Sequence, residues 1–204
     1  MSVHEPITGE NVASEHSVRF FDTDESRVAS VGAFFAEGYE RDCPLIAVLR
    51  PRVWADVRTS LEGRGVPIES LIASRELLVL DADDTLERLS GRDGPHPLKF
   101  DKVIGVAVRE FGRPVYACGE MVDILAQRME LPQALELEAF WNGLARQVPL
   151  ILMCGYCSAH FVSPTTQRAL AEICRAHTRV DMKSQDQLGN WLLTGAGLLP
   201  ASAR

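Results

Sequence analysis

The chain has 204 residues, 46% of them hydrophobic and 24% charged, which fits one globular domain, or one domain with a tail, around a substantial core. Its 28 acidic and 21 basic side chains leave a formal charge of −7 with no basic cluster, so binding to a nucleic-acid backbone is not expected. No apolar run approaches the roughly 20 residues needed to span a bilayer, and the start, MSVHEPITGENVASEH, lacks a basic-then-apolar leader, so a cytoplasmic protein without membrane contact is expected.

In chain order, residues 1–15 are polar and aperiodic and read as a flexible arm. A short β-like run, Ser17–Phe21, stops at Asp22-Thr23-Asp24-Glu25. Thr23 or Asp24 can cap a helix to about Arg41, with Val28, Val31, Phe35 and Tyr39 on one face. Pro44–Leu49 has the continuous apolar character of a strand covered on both sides. A helix over about Val53–Gly63, one further turn at Ile68–Ala73 and a strand at Glu76–Leu80 ending on Asp81 complete a parallel strand–helix–strand unit.

A short helix to about Leu89 precedes the loop Ser90–Pro97, SGRDGPHP, read as a mobile surface loop inside the domain. Helix Lys99–Phe111 and strand Pro114–Cys118 follow. The strand gives way at Gly119-Glu120 to a helix resuming at Met121. Pro132–Val148 is strongly helical, with Leu137, Trp141, Leu144 and Val148 aligned, and Leu150–Gly155 is the last clear strand. Ser163-Pro164 opens a helix through His177. The tail, 181–204, contains Trp191, Leu192, Leu193, Leu198 and Leu199 and is read as docking on its own domain or on a partner.

Alternating strands and helices of this kind predict an α/β fold, a mostly parallel sheet with helices on both faces. In such sheets ligands collect outside the carboxyl ends of the strands. The candidate ligand-binding residues are therefore Asp22, Arg50, Asp81, Glu120, Cys154 and Tyr156. Asp22 and Asp81 have the competing role of helix caps. Glu120, wedged between Gly119 and Met121 at the end of an apolar run, needs a cation or hydrogen-bond donors: an arginine, the Tyr116 hydroxyl or a ligand.

The cysteines at 43, 118, 154, 157 and 174 sit mostly in apolar segments, as reduced, buried thiols do. Cys154-Gly-Tyr-Cys157 has C-x-x-C spacing, but its first cysteine lies in a strand rather than at a helix N-terminus, which disfavours a redox pair. Adding His160 gives no second pair at zinc-finger spacing, so no metal is expected. No hydrolase triad, nucleophile elbow or HExxH helix is present. A phosphate-binding loop needs glycines and a lysine after the first core strand, whereas Leu49 is followed by Arg-Pro-Arg-Val-Trp.

HSVRFFDTDES at 16–26, the Phe34–Gly38 turn, LLVLDADDT at 77–85 and RPVYACGEMVDIL at 113–125 resemble the MEDS family, the methanogen/methylotroph DcmR sensory domain. The likeness continues through ALELEAFWNGLAR at 134–146, LMCGY at 152–156 and ICRAHTRV at 173–180, and so covers about residues 16–180. It implies a KaiC/RecA-like three-layer sandwich with a degenerate P-loop, acting as a non-enzymatic sensor of a small organic ligand, a hydrocarbon derivative, with no cofactor. Output modules in the family are histidine-kinase, PAS or DNA-binding domains. About two dozen residues follow Val180, so output is expected through a partner protein, a histidine kinase or regulator, or through self-association. A thiol-redox protein using Cys154 and Cys157 and a nucleotide-binding pseudo-ATPase are the competing readings.

Overall fold

The computed structural model describes residues 14–181. Nearly all of the expected tail and arm lie outside the described residues, but the arm's last residue, Glu15, and the tail's first, Asp181, already belong to strands.

The chain folds as an α/β sandwich. Strand β1 (Glu15–Phe21) leads into helix α1 (Asp24–Glu40), and β2 (Leu45–Leu49) into α2 (Pro51–Glu62) and the short α3 (Ile68–Ala73). Strand β3 (Leu77–Asp81) continues directly into α4 (Ala82–Leu89). The Gly/Pro-rich segment after it pairs with itself as a two-residue hairpin, β4 (Ser90–Gly91) with β5 (Gly94–Pro95). The segment expected as a mobile surface loop thus carries a small pairing of its own. Helices α5 (Pro97–Phe100) and α6 (Val106–Glu110) are joined by a π turn at Asp101–Gly105. Then come β6 (Val115–Gly119), α7 (Met121–Gln127), α8 (Leu131–Ala145) and β7 (Leu150–Cys157). A 3-10 turn (Ser158–Phe161), α9 (Pro164–Ala176) and β8 (Arg179–Asp181) close the described chain.

Six strands form one sheet in the order β3-β2-β6-β7-β1-β8, and every pairing in it is parallel. β8, too short to show periodicity, was not expected from the sequence. It exists because β1 offers it an unpaired edge: Thr178 N–H donates to the His16 carbonyl at 2.8 Å, and His16 N–H donates to Thr178 Oγ1 at 2.9 Å. β1 is thus a central strand and the first of the core, so the turn to compare with a phosphate loop is Asp22-Thr23-Asp24 rather than the residues after Leu49.

Alternation along the strands separates two cores. Ile46, Val48, Ala117, Leu152 and Cys154 face α4 to α9, packed against Trp141, Leu137 and Ile104. Leu45, Ala47, Leu49, Cys118 and Met153 face α1, α2 and α3, packed against Phe35, Val57 and Leu61. Chain direction therefore splits at two places along the carboxyl edge. Neighbours β2 and β6 continue into α2 and α7 on opposite faces, as β1 and β7 do into α1 and α9. Divergence of this kind opens a crevice between strand ends.

Candidate functional site

The carboxyl edge carries four of the six expected residues: Asp22 after β1, Arg50 after β2, Asp81 ending β3 and Glu120 after β6. Two of these perform local work. Asp81 Oδ1 accepts the N–H groups of Asp83 at 2.9 Å and Asp84 at 3.3 Å, capping α4. Asp22 is not a cap: Thr23 Oγ1 takes the Ser26 N–H at 3.1 Å, while Asp22 accepts the Ser158 hydroxyl across the β1/β7 divide.

Glu120 and Arg50 belong to a buried ion network spanning both divides. Glu120, 2% exposed, accepts from Arg27 Nη1 of α1 at 2.8 Å and from the Arg50 backbone N–H at 2.9 Å. The Arg50 guanidinium lies 3.6 Å from Glu120 and donates to Asp123 at 2.8 Å. Asp123, also 2% exposed, takes the Cys157 N–H at 2.7 Å and sits 3.3 Å from His160 Nε2. Of the partners expected for Glu120 the arginine is the one present; the Tyr116 hydroxyl donates to Glu37 instead, at 3.1 Å. Burial pushes the Glu120 carboxyl above its ordinary value, and the Arg50 N–H, Arg27 and the Arg50 guanidinium only partly pull it back.

Asp123 goes the other way. Burial raises it, but the hydrogen bonds from His160 and the Cys157 N–H, with Arg50, outweigh burial and hold it below the ordinary aspartate value. A carboxyl whose folded-state pKa is depressed stabilises the fold above its unfolded value, and that stability is lost as pH falls through the folded value. Asp123→Asn is therefore expected to cost about 1–3 kcal/mol at neutral pH and progressively less below about pH 4, where wild type and variant converge. Urea midpoints across a pH series check this; a gap that persists or widens in acid contradicts it.

The other two expected residues are elsewhere. β7 runs on to Cys157, two residues past its expected end, so Cys154 and Tyr156 lie within the strand and face α8, both fully buried. This corrects their placement on the carboxyl edge. It also bears on the C-x-x-C spacing. Three residues along a strand separate Cα atoms by about 10 Å and turn the side chains to opposite faces, whereas a disulfide needs Cα atoms within about 7 Å. Both thiols are free.

Cys154 instead enters a second, interior cluster. Glu138 stands mid-way along α8 on the same buried stripe as Leu137 and Trp141, with no solvent exposure. It accepts the Tyr156 hydroxyl at 2.7 Å and the Cys154 thiol at 3.2 Å. His16 Nε2 of β1 lies 3.2 Å from Glu138 and 3.3 Å from Cys154 Sγ. His177 Nε2, at the end of α9, lies 3.4 Å from Glu138. The two imidazoles pack with ring centroids 4.0 Å apart. Burial alone would raise Glu138, but the two histidines, His177 foremost, hold its carboxyl well below the usual carboxylate range. Burial and then the Glu138 charge push the Cys154 thiol and the Tyr156 hydroxyl well up, so both remain protonated donors. A thiol of that kind is a poor nucleophile.

These two clusters are built from segments that one family shares. The sequence model of MEDS, the MEthanogen/methylotroph, DcmR Sensory domain, matches residues 15–178. The chain belongs to the MEDS family. The match runs from the first residue of β1 to the residue before β8, so the MEDS domain contains both the carboxyl-edge network and the interior cluster. A comparison with curated proteins gave no match. As a MEDS protein it carries a domain of a sensory family. Among the described residues no helix is long and apolar enough to cross a membrane.

Several site residues escaped the sequence reading. Arg27 is one of several polar residues of α1 and Asp123 an acid in the first turn of α7, and neither carries a local signal of its role. Glu138 was the one with a signal, being a carboxylate adjoining Leu137 on an otherwise apolar stripe. His16 and His177 lie at opposite ends of the MEDS domain, where no local spacing can announce a pair.

Proposed function

We propose that this MEDS domain is a non-enzymatic sensor whose carboxyl edge takes up a small organic ligand and whose resulting rearrangement is read by a partner protein, a histidine kinase or regulator. The observation that carries this is the network Arg27–Glu120–Arg50–Asp123–His160. It links α1, the start of α2, the start of α7 and the turn after β7 across both places where the sheet's connections diverge. Few of its groups can move independently, so a ligand that displaces one carboxylate or arginine shifts several elements together. Ligand-driven change requires unequal affinity for two states, and a buried ion network that loses one member is expected to repack as a unit rather than yield by degrees.

Beyond the network, the end of α7 borders open space. Gln127 accepts from Arg50 at 3.4 Å, and the next residue, Arg128, faces Asp83 at 3.5 Å in a cavity of about 570 Å³ lined also by Asp84, Glu87 and Ser90. We read the sheet as KaiC/RecA-like without a working phosphate loop. The turn after β1, Asp22-Thr23-Asp24, has neither glycine nor lysine, and its acids would repel a phosphate. That weighs against the pseudo-ATPase reading, as the geometry of Cys154 and Cys157 weighs against the redox one.

Thermal denaturation in the presence of one- and two-carbon compounds (methanol, methylamine, dichloromethane, ethanol) tests the proposal. At least one should raise the midpoint of the wild-type protein, and the response should be lost in a folded Glu120→Gln variant. No shift across the series, or an undiminished shift in Glu120→Gln, would overturn it.

A further inference from the structure

We infer that the interior cluster is a binding site for a divalent transition-metal ion of the zinc class, held by His16, Glu138, Cys154 and His177. This site is separate from the carboxyl edge, and neither proposal depends on the other. One ligand atom from each residue falls within 4.8 Å of all the others, and the four side chains form the one such group among the described residues.

Three of the separations already match a coordination sphere, and His177 has to close in from within 4.8 Å. With metal–nitrogen and metal–oxygen bonds of about 2.0 Å and a metal–sulfur bond of about 2.3 Å, the edges of a tetrahedron come to roughly 3.3–3.6 Å. His16 Nε2, Cys154 Sγ and a Glu138 oxygen are 3.2 to 3.3 Å apart, and His177 Nε2 is 3.4 Å from the other Glu138 oxygen. A small outward movement of the side chains makes room for an ion at their centre.

The tautomers are set for coordination. Asn142 donates its Nδ2–H to the Ala176 carbonyl at 2.8 Å, which leaves its Oδ1 to accept from His16 Nδ1 at 3.0 Å. The Ile173 carbonyl, which can only accept, lies 2.7 Å from His177 Nδ1. Each ring proton therefore sits on Nδ1 in the neutral imidazole, and each Nε2 lone pair points at the centre, the arrangement in which an outer oxygen orients a metal-bound histidine. Among the described residues His177 Nε2 has no hydrogen-bond partner, although its side chain is fully buried. In the imidazolium form that nitrogen carries a proton towards the Glu138 carboxylate; a metal ion takes the place of that proton between the nitrogen and the carboxylate.

Charge and donor type agree. One carboxylate and one thiolate balance a dication, so the loaded centre is neutral and suits a dry interior. Two imidazoles, a thiolate and a carboxylate form a donor set for zinc or cobalt, whereas magnesium and calcium prefer oxygen alone. Binding breaks the Cys154 S–H bond, forms the metal–sulfur bond and releases that proton to solvent. Four protein ligands leave no open position, so the ion ties β1, β7, α8 and the end of α9 together rather than reacting.

The test uses the untagged full chain, stripped with chelator and titrated with Co²⁺ and with Zn²⁺. One equivalent of Co²⁺ should give tetrahedral visible bands and a thiolate-to-cobalt charge-transfer band in the near ultraviolet. One equivalent of Zn²⁺ should displace it and raise the thermal midpoint. Cys154→Ser should abolish the charge-transfer band, and Asn142→Ala, outside the coordination sphere, should weaken Co²⁺ binding about 10–100-fold. If stripped wild-type protein shows no charge-transfer band with Co²⁺, or if the band survives in Cys154→Ser, the site is not there.

Discussion

Arg27→Met is expected to lower the free energy of unfolding by about 3–5 kcal/mol, because removing one partner of a buried ion pair strands the other. The Arg27 side chain is 10% exposed and Glu120 3%, so solvent does little to screen or replace the lost bond. The loss should fall towards the lower figure, since the Arg50 backbone N–H and guanidinium still face Glu120. Glu120→Gln in the same background should recover much of it. Burial already pushes the Glu120 carboxyl up, so a neutral amide at 120 is tolerated where an unpaired charge is not. Urea titrations of wild type, both single variants and the double variant form a cycle. If the double variant loses the plain sum of the two single losses, the residues are not coupled, and the edge network is not the unit described above.

Glu138→Ala should cost a similar amount, about 3–5 kcal/mol, measured with chelator present so that no bound ion contributes. The truncation leaves the Tyr156 hydroxyl without an acceptor in a fully buried site, leaves the Cys154 thiol with only His16 Nε2 to donate to, and removes the charge that His16 and His177 face. It also opens a cavity beneath Trp141 and Leu137 in the larger core. Glu138→Gln should cost distinctly less. Its amide oxygen can still take the Tyr156 proton, and its amino group can donate to an imidazole Nε2. Equal losses for the two variants would show that packing volume, not hydrogen bonding, is what α8 needs at this position.

The two clusters show where linear reading succeeds and where it stops. Period and punctuation are local properties, so β2, α2, α3, β3 and β6 could be placed to within about two residues from apolar runs, caps and glycines. The rule that parallel strands present their carboxyl ends to one edge then placed Asp22, Arg50, Asp81 and Glu120 correctly. What misled was the end of β7. Its run of small and apolar residues continues through Gly155 and Tyr156, and only pairing with β1, Phe20 to Tyr156 and Phe21 to Cys157, shows that the strand persists and turns Cys154 inward. β8 has the same explanation: three residues carry no period, and an open edge on β1 makes them a strand.

The sequence by itself determined the layered α/β architecture, the family, and the acids and arginine that stand at the strand ends, because each follows from side-chain periodicity or from motifs a few residues long. Only tertiary structure decided the partners of those residues. Arg27 meets Glu120, and His16 meets Cys154, Glu138 and His177, through strand order and helix placement. Electrostatics and coordination depend on distances of a few ångströms between residues far apart in the chain, and it is the sheet order β7-β1-β8 that brings the two ends of the domain to one point.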